Sequence, residues 1–216
     1  MKFPSLRIEG PILSTDIVER IAEGDYPGQT PADFGIEGRV RDEIARAWAD
    51  SRALWSVFSH QRERTTADDK LGTSRTRSTW VLPLLSLLGY ELEYYREAPE
   101  LLGKKYAISH RATNRAGMPI HIVGFSQSLD ARESRAMSAH SLAQEYLNLA
   151  DDQLYALLTN GLEFRLLRDA SRLVRLSYVE FDLTRMLEED LFTDFAILFR
   201  LLHASRFPAR AEDAAS

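Results

Sequence analysis

The sequence contains no cysteine, which excludes a disulfide scaffold, a thiolate zinc site and a cysteine nucleophile. Lysine is scarce: only four of the 27 basic residues are lysine and the rest are arginine. Long apolar runs are also missing. The most apolar stretch, Trp80 to Leu88, falls far short of the ~20 residues that a membrane-spanning helix needs. No apolar segment follows Met1–Arg7, so no signal peptide is read and a cytoplasmic protein without a membrane partner is expected. No Gly-x-Ser-x-Gly elbow occurs, which argues against a serine hydrolase.

What is present suits a packed domain. The 216 residues, 44% of them hydrophobic, are enough for one sizeable core. The net charge of −5 excludes a uniformly basic, histone-like chain, but the charge is laid out in blocks. Residues 1–37 hold three basic and seven acidic groups, whereas residues 104–135 hold six basic and two acidic, a local +4. Arginine recognises phosphate or carboxylate with a planar fork, so an arginine-heavy block suits a polyanion. The candidate DNA contacts are therefore Lys104, Lys105, Arg111, Arg115, Arg132 and Arg135.

The apolar periodicity divides the chain. Asp16 and Glu19 have capping-box spacing for a short helix ended by Gly24, and Pro27-Gly28 turns the chain. Val40, Ile44, Trp48, Trp55 and Phe58 share one face of a longer helix, and the polar stretch Gln61 to Ser74 reads as a loop. Ser78 or Thr79 is expected to cap a helix through Leu88, with Gly89 just past its end. Strands are expected over Tyr90–Tyr95, Lys104–His110 and Pro119–Phe125, the last with Ile120 and Ile122 on one face and His121 and Val123 on the other. Ser138 or Ser141 opens a further helix. Leu154–Leu158 reads as a strand buried on both faces, joined through a two-residue Asn160-Gly161 turn to Glu163–Leu167. A strand over Leu173–Phe181 and a helix from Leu191 to about Ser205 complete the chain, with Glu188-Glu189-Asp190 at the N-terminal end of that helix. The fold class is α/β (α+β): a central mixed sheet with a helical N-terminal layer (1–74), an α/β core with a C-terminal helix (75–207) and a short flexible tail (208–216).

Two segments resemble a known family. Trp80-Val81-Leu82-Pro83-Leu84-Leu85-Ser86-Leu87-Leu88-Gly89-Tyr90 resembles the opening helix of the nuclease-like domain in bifunctional restriction–modification methylases, including those of phage-defence islands. Leu154 to Asp169, with Thr159-Asn160-Gly161 at its turn, resembles the strand and hairpin that follow the helix behind the active-site sheet in the same proteins. The resemblance implies a restriction-endonuclease-like core over residues 75 to 207 and a role in a restriction–modification-type phage-defence system. Double-stranded DNA and a methyltransferase domain or subunit would be its partners.

The chemistry of that family does not carry over. An active nuclease of this kind sets an acid on the second strand and an acid-x-Lys pair on the third, so that two carboxylates hold Mg²⁺ and lysine polarises water. Here the second strand ends Ile108-Ser109-His110, and the third reads Ile122-Val123-Gly124-Phe125-Ser126-Gln127. The methylase motifs, an Asn-Pro-Pro-Tyr and a glycine-rich cofactor loop, are not in this chain. The sequence thus assigns no catalytic residue, no metal ligand and no cofactor, and implies a catalytically inactive, pseudo-nuclease domain that engages DNA or a partner protein. Two alternatives stand beside it: a metal-dependent endonuclease with ligands relocated to Glu91, Glu93 or Asp130, and a pure protein-interaction module. His110, His121 and His140 are weighed as an acid–base or metal cluster, against the simpler reading of satisfied sheet histidines.

Overall fold

The computed structural model describes residues 2–64, 71–132, 136–169, 177–210 and 213. Among the described residues nine strands follow in chain order: β1 Leu6–Glu9, β2 Leu92–Tyr94, β3 Glu100–Leu101, β4 Lys104–Lys105, β5 His110–Ala112, β6 Met118–Ile122, β7 Tyr155–Thr159, β8 Glu163–Arg168 and β9 Tyr178–Asp182. Seven of them form one sheet in the order β1-β9-β8-β7-β6-β5-β2, and β3 and β4 form a separate small hairpin. Only β6 and β7 run parallel; every other neighbouring pair in the sheet is antiparallel. That parallel step needs a crossover helix, supplied by α6, Ala139–Leu149. The expected central mixed sheet is therefore present.

The helices are α1 Thr15–Glu23, α2 Pro31–Phe34, α3 Val40–Arg62, α4 Thr73–Arg75, α5 Leu82–Leu87, α6, α7 Leu183–Glu188 and α8 Phe192–Leu202. One face of the sheet packs under α3, residues 73–87 and α8, in a core that holds Ile44, Phe58, Trp80, Leu85, Ile120, Ile122, Leu157 and Phe199. The opposite face carries a smaller core with Val123, Ala143, Leu147, Ala156 and Leu158 beneath α6. Strand alternation sorts β6 and β7 between these two cores: Ile120 and Ile122 enter the first and Val123, just past the end of β6, the second, while Leu157 and Leu158 divide likewise. A strand covered on both faces must be apolar throughout, which is why β7 reads Tyr-Ala-Leu-Leu-Thr.

Several local details differ from expectation. The cap of α1 is Ser14, whose hydroxyl accepts from Ile17 N, and not Asp16; Gly24 closes the helix at φ 75° as expected. Of the expected loop 61–74, Gln61 and Arg62 are still helical, Thr73 already begins the next helix, and residues 65–70 lie outside the described residues. Neither Ser78 nor Thr79 caps that helix. Both lie inside it and donate to the carbonyls four residues back, Ser74 and Arg75, at 2.8 and 2.5 Å. Thr76–Val81 forms a π turn between α4 and α5. The wider turn brings the chain to Pro83, whose ring in a regular helix interior would meet the carbonyl four residues back.

The expected strand Lys104–His110 is broken into β4 and β5, because Lys104–Lys105 pairs with Glu100–Leu101 in the small hairpin. Leu6–Glu9, inside the expected helical layer, is an edge strand paired with β9. The expected strand 173–181 is seen as β9; residues 173–176 lie outside the described residues. Glu188 closes α7 and Asp190 stands at φ 60° before α8, so the acidic triplet marks a helix–helix corner and does not open the last helix. Of the tail, Ala209 O accepts from Ala116 N at 3.2 Å.

Candidate functional site at the loop end of the central sheet

The loop that leaves β6 is held at five points. Thr76 donates its hydroxyl to Gly72 O at 2.8 Å and accepts from Phe125 N at 3.0 Å, which ties the start of the loop to the π turn. Gly124 packs so closely on Leu71 that a Cβ there would lie 1.9 Å from the Leu71 carbonyl oxygen, so no other residue fits. Arg77 reaches the end of β6 and donates to Ile122 O from both Nε and Nη2, at 3.2 and 2.8 Å. On the far side Asn160 Nδ2 donates to Gln127 O at 2.9 Å.

Asn160 belongs to the β7–β8 connection, which is longer than the expected two-residue turn. Thr159 pairs with Phe164, so Asn160 to Glu163 span the gap. Side chains build this loop: Asn160 Oδ1 accepts from Leu162 N and Glu163 N, both at 2.9 Å. Thr159 Oγ1 accepts from Gly161 N at 2.8 Å and donates to Glu163 O at 2.7 Å. Gly161 adopts φ 83°, and its carbonyl accepts from Trp80 Nε1 at 2.8 Å. Thr159, Asn160 and Gly161 thus join the opening helix to the β6 loop, as structural residues.

The fifth hold is an ion cluster around a buried arginine that sequence reasoning missed. Arg165 on β8 is 2% exposed. Its Nη1 and Nη2 donate to the two carboxylate oxygens of Asp130, each at 2.7 Å, and its Nε donates to Glu180, the cross-strand neighbour on β9. Nη1 also lies 3.0 Å from His140 Nδ1 on the first turn of α6, and the guanidinium sits over the Tyr178 ring at 4.9 Å. Burial opposes the Arg165 charge, but its hydrogen bonds to Asp130 and Glu180 outweigh that and raise its pKa. The Arg165 hydrogen bonds hold the Asp130 carboxyl below its usual range. Burial, reinforced by Arg165, lowers the His140 pKa, so the neutral ring can accept at Nδ1. An arginine inside the apolar run Phe164–Leu167 was the available signal, but its three partners sit on other elements.

The three candidate histidines do not meet at one point. His110 shares the Ile120 face of the sheet, with Nδ1 2.9 Å from Ser109 Oγ and the ring edge-on to Tyr94. His121 lies on the other face, and His140 faces Arg165. Burial, with Arg77 nearby, lowers both His110 and His121 to about 4. Among the described residues no group of three or more His, Cys, Asp or Glu could hold a metal ion. Of the alternative ligands, Asp130 is engaged by Arg165, and Glu93 accepts from Arg111 Nε and Nη2 at 2.8 and 2.6 Å.

The basic candidates are spread rather than gathered. Lys104 pairs with Glu145 and Arg111 with Glu93. Lys105 and Arg132 are exposed. Arg115 sits in the β5–β6 turn, at the end of these strands opposite the loop that carries Arg132, and donates to Asn114 O. Arg135 lies outside the described residues. Among the described residues no helix is long and apolar enough to cross a membrane. No protein-family model, curated protein or solved structure matches the chain.

Proposed function

We propose that this chain is a catalytically inactive, restriction-endonuclease-like domain of a phage-defence DNA methylase system, working as an assembly module that joins a methyltransferase component and touches DNA only weakly. The reading is supported by the order of elements. The family resemblance calls for an opening helix, three strands, a helix and then a strand with its hairpin. In the main sheet, residues 73–87, β2, β5, β6, α6, β7 and β8 follow in that order, with the separate β3–β4 hairpin inserted between β2 and β5.

The observation that carries the inactive assignment is the bidentate grip of Arg165 on Asp130. Asp130 is the acid nearest the end of the third core strand, and its charge is already matched by the buried guanidinium from which both of its oxygens accept. Glu93, another of the three relocated candidates, is likewise engaged by Arg111.

The test is plasmid cleavage by the purified chain with Mg²⁺ or Mn²⁺. Supercoiled DNA should remain intact with the wild-type chain and with Asp130→Ala. Metal-dependent nicking that vanishes in Asp130→Ala would overturn the proposal and establish an endonuclease.

A further inference from the structure

The C-terminal end of α8 reaches into the acidic N-terminal segment with two arginines. Arg200, in the last turn of α8, donates from Nη1 to Gln29 Oε1 at 2.9 Å. Arg206 lies in the short turn Ala204–Arg206 that follows. It donates from Nη1 to Gly28 O and from Nη2 to Asp33 O, and its guanidinium carbon lies 4.0 Å from the Phe34 ring centre. Both side chains are half-buried, and both grip the loop 24–30 at adjacent residues.

What sets these two apart is the lack of a counter-charge. Arg7, Arg46, Arg111, Arg165 and Arg185 each face a carboxylate. Among the described residues neither Arg200 nor Arg206 makes an ion pair; their acceptors are an amide, two backbone carbonyls and the Ser205 hydroxyl. Asp33 acts on Arg206 only from a distance, and its carboxylate accepts from Thr30 N and Oγ1 at 2.8 and 2.5 Å. Burial lowers the pKa of both arginines, and no acid offsets it at Arg200. The C-terminus of α8 supplies about half a negative charge, enough to offset part of one guanidinium and not two. Arg206 spends its donors on the loop and on Ser205. Among the described residues Arg200 donates one hydrogen bond, although a guanidinium has five N–H donors. Its Nη2 faces Gly24, an exposed residue without a side chain, where a Cβ would lie 4.0 Å away.

We propose that Arg200, backed by the charge of Arg206, binds a compact oxyanion, the phosphate group of a small molecule, beside the loop 24–30. The fork of a guanidinium matches phosphate oxygens bidentately. A phosphate group at neutral pH carries about −1.5 to −2, close to the two charges left unmatched here. The surroundings restrict the ligand to a small one. Glu23, Asp25 and Asp33 stand exposed on either side of the loop in the chain. They would repel the successive phosphates of a nucleic acid, whereas a single group makes its contact at Arg200 alone. The site uses none of the residues on which the nuclease-like reading rests, and either can fail alone.

The test is calorimetric titration of the full chain with inorganic phosphate at constant ionic strength and about pH 7. Binding is read as heat, because phosphate raises melting temperatures by its exclusion from any protein surface. The wild-type chain should bind saturably. Arg200→Gln, which keeps an amide but loses the charge and the fork, should weaken binding at least roughly tenfold, as expected for a lost charge-assisted contact. Arg200→Lys keeps the charge without the fork and should bind between the two, which also covers a failure of Arg200→Gln to fold. Methyl phosphate separates the sources: binding equal to that of inorganic phosphate points to a phosphate ester, and its exclusion to the free ion, and either result keeps the site. Duplex DNA should not compete. No saturable binding in the wild-type chain, binding unchanged in both Arg200 variants, or competition by duplex overturns the proposal.

Discussion

Arg165 is the residue on which the polar side of the sheet depends. Its guanidinium is buried between Glu180, Asp130 and His140, so replacing it with an apolar side chain strands a nearly buried carboxylate on β9. Removing one partner of a buried ion pair costs about 3–5 kcal/mol, because the other charge loses both water and counter-ion. Arg165→Met should therefore lower stability by about that amount at pH 7. The pH dependence follows from the same cluster. The folded-state pKa of Asp130 is depressed, so its contribution is present above its unfolded value near 3.9 and is lost as pH falls through the folded value. His140 acts in the same direction: its lowered pKa means that the unfolded chain takes up its proton first, and stability declines as pH falls below about 6.5. In Arg165→Met the part of the His140 shift that comes from Arg165 is gone, so the variant loses less stability than the wild type as pH falls below about 6.5. The gap between variant and wild type should accordingly narrow from pH 7 to pH 4, read from urea-unfolding midpoints. A loss under 1 kcal/mol at pH 7 would count against the buried clamp, as would a gap that widens in acid.

Among the elements, the β7–β8 connection binds the molecule most tightly. Gly161 stands at φ 83°, and a Cβ there would lie 2.8 Å from Thr76 Cγ2 and 3.2 Å from Trp80 Cδ1. Gly161→Val adds left-handed backbone strain to that collision and should cost on the order of 1–3 kcal/mol. Thermal melting checks it, and an unchanged midpoint would mean that the turn is not packed against the π turn as described. How far this element was legible in the sequence is instructive. Thr159-Asn160-Gly161 between two apolar runs announced a reversal, and glycine announced positive φ, but the length of the loop did not follow. Two side chains, Thr159 and Asn160, supply hydrogen bonds that a two-residue turn would take from its backbone. The strand β6 was legible from period-two alternation, β7 from its continuous apolar run and the Ser138 cap of α6 from its capping residue, all of them local signals. β1 was not, since these four residues, of which only Leu6 is buried, become a strand only by pairing with β9 near the other end of the chain. The Arg165 cluster was hidden for the same reason: Asp130, His140 and Glu180 come from a loop, a helix and another strand.

At the scale of the whole molecule, charge decides how a polyanion would be met. The chain carries −5 overall, and the basic block at 104–135 is partly neutralised by acids from outside it: Glu145 takes Lys104 and Glu93 takes Arg111. Ion pairs already made must be broken before those cations can face phosphate, and exposed pairs of this kind are worth up to about 1 kcal/mol each. Lys105 leads toward β5 and Arg132 follows β6, whereas Arg115 stands at the opposite end of these two strands, so one duplex seated on the loop end meets the first two and misses the third. Each phosphate neutralised contributes about 0.9 to the slope of log affinity against log salt, so two contacts give a slope of about −2. Fluorescence anisotropy of a labelled duplex over a range of salt should return weak binding with that slope and no sequence preference, because phosphates carry no sequence information. The double variant Lys105→Glu, Arg132→Glu should abolish the binding, whereas Arg115→Glu should leave it nearly unchanged. A slope steeper than about −3 would mean that Lys104 and Arg111 leave their carboxylates for the phosphates, and that DNA is a principal partner of this surface and not an incidental one.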